Sequence, residues 1–67
     1  MNVQEAQQQA AAAAADLAYC QDDALWLLSQ LGEGVISSEE FRAAVSSITL
    51  IDSDAAWVAH ELARKLG

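Results

Sequence analysis

The feature that most constrains the fold of this chain is a heptad-spaced series of apolar residues over residues 3–31. Steps of three and four reach Val3, Ala6, Ala10, Ala13, Leu17, Cys20, Ala24, Leu27 and Leu31. Such a series is typical of a helix that lies against another helix along its whole length. No Pro or Gly interrupts the series, and most of its residues are Ala, Gln and Leu, which cost a helix little. The spacing therefore predicts one long helix over residues 3–31.

An alternative is a break in this helix at Cys20, Gln21 and Asp22. The Asp22 side chain would then cap a second helix, as Asp commonly does at a helix N-terminus. Because the heptad phase runs through these three residues undisturbed, the continuous helix is the preferred interpretation.

Two shorter helices are predicted after the glycines at positions 32 and 34. Ser37 and Glu40 have the S-x-x-E spacing of a capping box, which places the start of the second helix at Ser38. Phe41 begins its apolar face and is expected at the centre of the core. A third helix is predicted over residues 53–66, because Asp and Ser precede it and two cations occupy its last turn.

The expected fold is therefore all-α and forms a single small domain, residues 1–67. One long N-terminal helix (about 3–31) is followed by two short helices (about 38–48 and 53–66) that fold back on its C-terminal half. Neither short helix is long enough to cover residues 1–16, an Ala/Gln-rich stretch. We expect this extension to drive self-association, as an antiparallel homodimer. The residues predicted to make that contact are Val3, Ala6, Ala10, Ala13 and Leu17.

The charge of the chain is strongly acidic. Ten acidic residues against three cations give a net charge of −7. Phosphate backbones repel such a chain, so direct binding to nucleic acid is not expected. Half of the acidic residues lie at predicted helix N-termini, where the helix dipole favours a carboxylate. An acidic mimic of nucleic acid, which blocks a basic groove on a target protein, is the alternative functional interpretation.

The composition indicates a cytoplasmic protein. Cys20 is the only cysteine, so no disulfide can form within the chain, and its heptad position suits a small buried residue. The N-terminus has neither the basic nor the apolar segment of a signal peptide. No apolar run approaches the roughly 18 residues of a membrane span. We therefore expect neither secretion nor a membrane anchor.

No catalytic or cofactor-binding constellation is recognisable. His60 is the only histidine, and without a second metal ligand or a nucleophile it forms neither a metal site nor a triad. A calcium loop ending at Glu40 would place Leu31 where an oxygen ligand is required. We expect no enzyme activity, no cofactor, no metal and no small-molecule substrate.

Residues 25–48 carry a local pattern of spaced leucines, a turn and an acidic pair before an aromatic residue. The leucines are Leu25, Leu28 and Leu31, the turn is Gly-Val-Ile-Ser at 34–37, and Glu-Glu-Phe follows at 39–41. This stretch resembles the bacterial short C-terminal (SHOCT) helical hairpin. It departs from that pattern in its shorter turn, in the missing lysines after the Phe and in the additional helix. The resemblance implies an interaction or oligomerisation element without catalysis.

The two tryptophans are the remaining candidates for a binding surface. Trp57, Glu61 and Arg64 recur at four and three residues and so share one face of the third helix, which we predict to bind a partner protein. Trp57 itself suits a core or an interface equally, whereas Trp26, with apolar neighbours, is expected in the core. The predicted function is that of a small non-enzymatic helical protein. It would act by protein–protein interaction as an adaptor, assembly factor or inhibitor of a larger bacterial or viral protein.

Overall fold

Four α-helices and no strand make up the chain, as the sequence predicts for the fold class. A computed structural model describes all 67 residues. The helices are α1 (Val3–Asp16), α2 (Asp23–Gly32), α3 (Ser38–Val45) and α4 (Asp54–Leu66), with a short 3-10 turn at Ala18–Cys20 between α1 and α2. None of the helices has both the length and the apolar character needed to cross a membrane.

The prediction of one continuous helix over residues 3–31 is wrong. Gln21 has φ 47° and ψ 41°, a left-handed conformation that reverses the chain. Asp22 then caps α2, because its carboxylate accepts the Leu25 amide at 3.0 Å. The left-handed residue costs about 1–2 kcal/mol. Burial of each leucine of α2 stabilises the fold by about 1.5–3 kcal/mol, so the packing of α2 on α1 outweighs the strain of the turn.

The turn lays α2 against α1, and the two helices approach very closely. A Cβ atom placed on Gly32 would lie 2.8 Å from both the N and the Cα of Ala11. Ala6 and Ala10 are fully buried within the chain. The expectation that nothing downstream can cover the N-terminal sixteen residues is therefore also wrong. α2 covers the inward face of α1, which includes Ala6 and Ala10, because a heptad series is satisfied as well by a helix of the same chain as by a second chain.

The starts of α3 and α4 agree with the caps read from the sequence. In the capping box, Ser37 Oγ accepts the Glu40 amide at 3.1 Å and Glu40 Oε1 accepts the Ser37 amide at 2.9 Å. α4 begins at Asp54 because Ser53 Oγ accepts the Ala56 amide at 3.1 Å. α3 ends at Val45, three residues earlier than predicted. Serines follow it, and Ser46 turns its hydroxyl back to a carbonyl of the last turn.

The helices pack so that α1 and α3 lie on opposite sides of the α2–α4 pair. α1 contacts α2 and α4, and α3 contacts the same two helices. Half of the twelve buried residues are alanines, which allow this close packing. The largest fully buried side chains are Phe41, Leu28, Leu31 and Val45. Phe41 lies in the core as predicted.

Candidate functional site

An open groove lies between α1 and α4, and it contains residues from both surfaces singled out in the sequence. Its volume is about 460 Å³. The lining residues are Gln9, Ala12, Ala13 and Asp16 of α1 and Trp57, Val58, Glu61, Leu62 and Lys65 of α4. Its floor is apolar, Asp16 and Lys65 lie toward its two ends, and Glu61 lies midway along the α4 wall.

The groove follows from the antiparallel packing of α1 and α4. The buried face of α4 includes Ala55, Ala59 and Leu62, which hold the helix against the rest of the chain. Tyr19, just after α1, donates its hydroxyl to Asp54 Oδ2 at 2.7 Å and so holds the end of α1 beside the start of α4. Trp57 lies one turn further along α4. It is 54% exposed, so its indole flanks the groove without filling it.

The three residues predicted to bind a partner lie together on the exposed face of α4. Arg64 donates to Glu61 Oε1 at 2.9 Å, and both side chains are exposed. With Leu50 and His60, the three residues line a smaller depression of about 350 Å³ that adjoins the groove. The structure therefore brings Trp57, Glu61 and Arg64 into one surface, and Trp57 belongs to the outside of the protein.

The five residues predicted to drive self-association differ in how far they are exposed in the structure. Ala6 and Ala10 are fully buried by the chain itself, so they are not available to a second molecule. Val3 is 53% exposed and Leu17 is half-buried. Ala13 is also half-buried and lines the α1/α4 groove beside Trp57. Two surfaces that the sequence suggested separately, one on each helix, thus meet in one groove.

The electrostatics of this groove differ from those of the rest of the molecule. The groove and its adjoining depression carry two acidic residues, Asp16 and Glu61, and two cations, Arg64 and Lys65. The chain has ten acidic residues and three cations in total. The surface outside the groove and depression therefore carries eight acidic residues and one cation, which account for the whole net charge of −7. This face is therefore locally neutral on a strongly acidic protein.

The hydrogen bond to Asp54 changes the acidity of Tyr19. Because the phenol donates to a carboxylate, loss of its proton would place two negative charges together, and the pKa of Tyr19 is raised from 10.0 to about 12. Desolvation and the charge of Asp54 act in the same direction. Tyr19 is thus a hydrogen-bond donor throughout the neutral pH range.

Trp26 is an exposed residue whose position was predicted wrongly. Instead of lying in the core it is 58% exposed, beside a depression of about 410 Å³ between α2 and α3. Its immediate neighbours Leu27 and Leu28 turn inward and are buried, whereas the indole stays outside. The sequence did hold a signal of this, because Trp26 and Tyr19 lie off the heptad series.

The histidine and the cysteine have structural environments. His60 is half-buried, and its Nε2 donates to the Ile48 carbonyl at 2.6 Å, which ties α4 to the turn after α3. Cys20 is a half-buried free thiol. No group of three or more His, Cys, Asp or Glu side chains is placed to hold a metal ion.

Comparison of the chain with protein-family models, curated proteins and solved structures gives no match. The resemblance of residues 25–48 to the SHOCT hairpin stays a prediction. Those residues form most of α2, the turn and α3, which is a helical hairpin.

Proposed function

We propose that the protein is a non-enzymatic protein-interaction module that docks through the α1/α4 groove, with Trp57 as its anchor. The observation that carries this proposal is the exposure of Trp57, 54%, at the edge of an apolar floor. A large aromatic side chain beside an apolar concavity, with charged residues around it, is the usual composition of a binding hot spot and its rim.

The free energy available from Trp57 is large for a protein of this size. A tryptophan buries roughly 200 Å² when fully covered, so about 100 Å² of this side chain remains in water. At about 25 cal/mol per Å², covering it would contribute about 2–3 kcal/mol to binding. Nothing within the chain uses this area, whereas a docked partner would.

The alanines on the opposite wall support docking of a helix. Ala12 and Ala13 project little from α1 and leave room for a backbone to approach closely. An amphipathic helix placed between α1 and α4 would set its apolar residues on the groove floor, as in other helix-in-groove complexes. An adaptor, an assembly factor and an inhibitor of a larger protein would each use such a surface.

The test compares retention by the immobilised protein and by its Trp57→Ala variant. Each is exposed to an extract of the native host and, separately, to a labelled second copy of the chain. We expect Trp57→Ala to weaken retention about thirtyfold, which corresponds to about 2 kcal/mol. Helix content by circular dichroism should stay unchanged. Val35→Ala is the matched control, because Val35 is 64% exposed and lines a different depression.

The same experiment separates this proposal from nucleic-acid mimicry. An apolar contact around Trp57 should persist as ionic strength rises, whereas an acidic mimic should lose its target steeply. Retention that is independent of Trp57 and collapses in salt would contradict the groove and favour the mimic.

A further inference from the structure

We infer that the occupant of the α1/α4 groove is a second copy of this chain, which forms a two-fold dimer with Asp16 of each copy against Lys65 of the partner subunit. This inference rests on the proposed function, since it names the partner of the same groove. It differs from a dimer through the heptad series of α1, because Ala6 and Ala10 are already buried within the chain.

Residues of opposite charge, Asp16 and Lys65, lie at the two ends of the groove. The Tyr19–Asp54 hydrogen bond sets the C-terminal end of α1 beside the N-terminal end of α4, so the two helices run antiparallel. Asp16 is the last residue of α1 and shares its end of the groove with Trp57. Lys65 lies eight residues beyond Trp57 on α4, roughly 12 Å further along at the rise of a helix. One end of the groove thus carries Asp16 and the other carries Lys65, whose ammonium lies 3.9 Å from Glu61 Oε1 of the same helix.

Asp16 has no partner within its own chain. None of the hydrogen bonds or ion pairs of the molecule involves its carboxylate, which is exposed. A carboxylate at the C-terminal end of a helix is also opposed by the helix dipole. The local structure therefore gives no reason for an acidic residue at this position, whereas a cation supplied from outside would provide one.

A second copy fits this pattern because of its symmetry. A two-fold axis that lies in the interface and runs across the groove reverses its direction, so the Asp16 end of one copy faces the Lys65 end of the other. Both Asp16–Lys65 pairs then form across the contact through the long lysine side chain, and each Trp57 lies against α4 of the partner subunit. The same residues serve both sides of the contact, as an isologous interface requires.

The distribution of net charge favours this face over the remaining surface taken as a whole. The groove and its adjoining depression are neutral, whereas the remaining surface carries the whole −7. Two copies that met through the acidic surface would repel each other. A specific dimer needs about 600 Å² from each copy, which is roughly 15% of the 3976 Å² that the chain exposes.

Sedimentation equilibrium with charge-reversal variants tests the inference. We expect the unaltered chain to dimerise at tens of micromolar. Asp16→Lys should weaken the dimer about tenfold or more, and so should Lys65→Asp. The double variant should regain most of the lost affinity, because it restores both pairs in reversed order. Ala13→Glu, which places a charge on the apolar floor, should also split the dimer.

The control variant separates loss of the Asp16–Lys65 pair from a general change in net charge. Asp16→Lys reduces the negative net charge from −7 to −5. If only general repulsion between the two copies mattered, this weaker repulsion would strengthen association. Glu33→Lys makes the same change at an exposed residue outside the groove and should leave association unchanged or slightly stronger. A weaker dimer with Asp16→Lys and not with Glu33→Lys thus identifies the specific pair.

Two results would overturn the inference. One is a chain that stays monomeric over the whole concentration range, and the other is an Asp16→Lys variant that associates more tightly than the parent. Neither would remove the groove as a docking surface if Trp57→Ala still abolished retention of a host protein. Loss of both effects would show that the proposed function has failed as well.

Discussion

The hydroxyl of Tyr19 donates a 2.7 Å hydrogen bond to the carboxylate of Asp54 and so joins the turn after α1 to the first turn of α4. The two residues are 35 positions apart, and their contact closes one end of the α1/α4 groove. Trp57 follows Asp54 by one helical turn, so this hydrogen bond also positions the proposed anchor residue.

Tyr19 should make stability depend on pH in the alkaline range. Its pKa is about 12 in the folded chain and 10.0 without the contact, so the unfolded chain loses the proton first. The stabilisation is therefore complete below pH 10 and is lost as the pH rises from 10 to about 12. Urea unfolding at several pH values should show this decline for the parent relative to Tyr19→Phe.

The comparison with Tyr19→Phe removes the contributions that the two proteins share, so the difference reports the Tyr19 hydroxyl and its contacts. Since Tyr19 is the only tyrosine, the phenolate absorbance of the folded chain reports its pKa directly. A folded-state midpoint at 10.0 would show that the hydrogen bond to Asp54 does not persist in solution.

Gly32→Ala should destabilise the chain, although alanine is the better helix former. The propensity gain is about 1 kcal/mol, but the new methyl would lie 2.8 Å from the backbone of Ala11, which cannot rotate away. Overpacking of this kind costs about 1–3 kcal/mol, so we expect a net loss in urea unfolding. Gly67→Ala is the control, because its methyl would meet only the flexible end of Arg42. A more stable Gly32→Ala protein would contradict the close approach of α1 and α2.

Gln21→Gly should stabilise the chain, because glycine adopts the left-handed conformation of this residue without strain. Relief of that strain is worth about 1 kcal/mol, less the greater freedom of glycine in the unfolded chain. The same substitution at Gln8, an exposed residue inside α1, should instead cost about 1 kcal/mol. Thermal unfolding compares the two. Equal losses at both positions would indicate that residues 17–22 are helical after all.

Phe41→Ala should be the costliest single truncation. Phe41 is fully buried among α2, α3 and α4, and such truncations cost about 3–5 kcal/mol, comparable with the total stability of a small domain. Trp26→Ala removes a larger side chain, but one that is 58% exposed, and should cost less than about 2 kcal/mol. Calorimetry that ranked the two variants in the opposite order would place Trp26 in the core.

The caps of α3 and α4 were readable from the sequence because each uses groups within three residues of one another. Ser37 with Glu40 marked the start of α3, and Ser53 marked that of α4. Asp22 was recognised as a possible cap of α2, but the undisturbed heptad phase argued against a break there. That phase identifies the residues that need a facing helix, and it does not say which helix faces them.

The sequence by itself determined the fold class, the starts of α1, α3 and α4, the central place of Phe41 and the shared face of Trp57, Glu61 and Arg64. These follow from local hydrogen bonding and from the period of a helix. The tertiary structure decided that α2 covers Ala6 and Ala10, that Trp26 stays outside, and that Ala13 and Trp57 line one groove. Each of these outcomes depends on which surfaces meet across long stretches of chain. The strain of the left-handed turn at Gln21 is offset by the packing of α2 against α1, because that contact buries leucines and alanines.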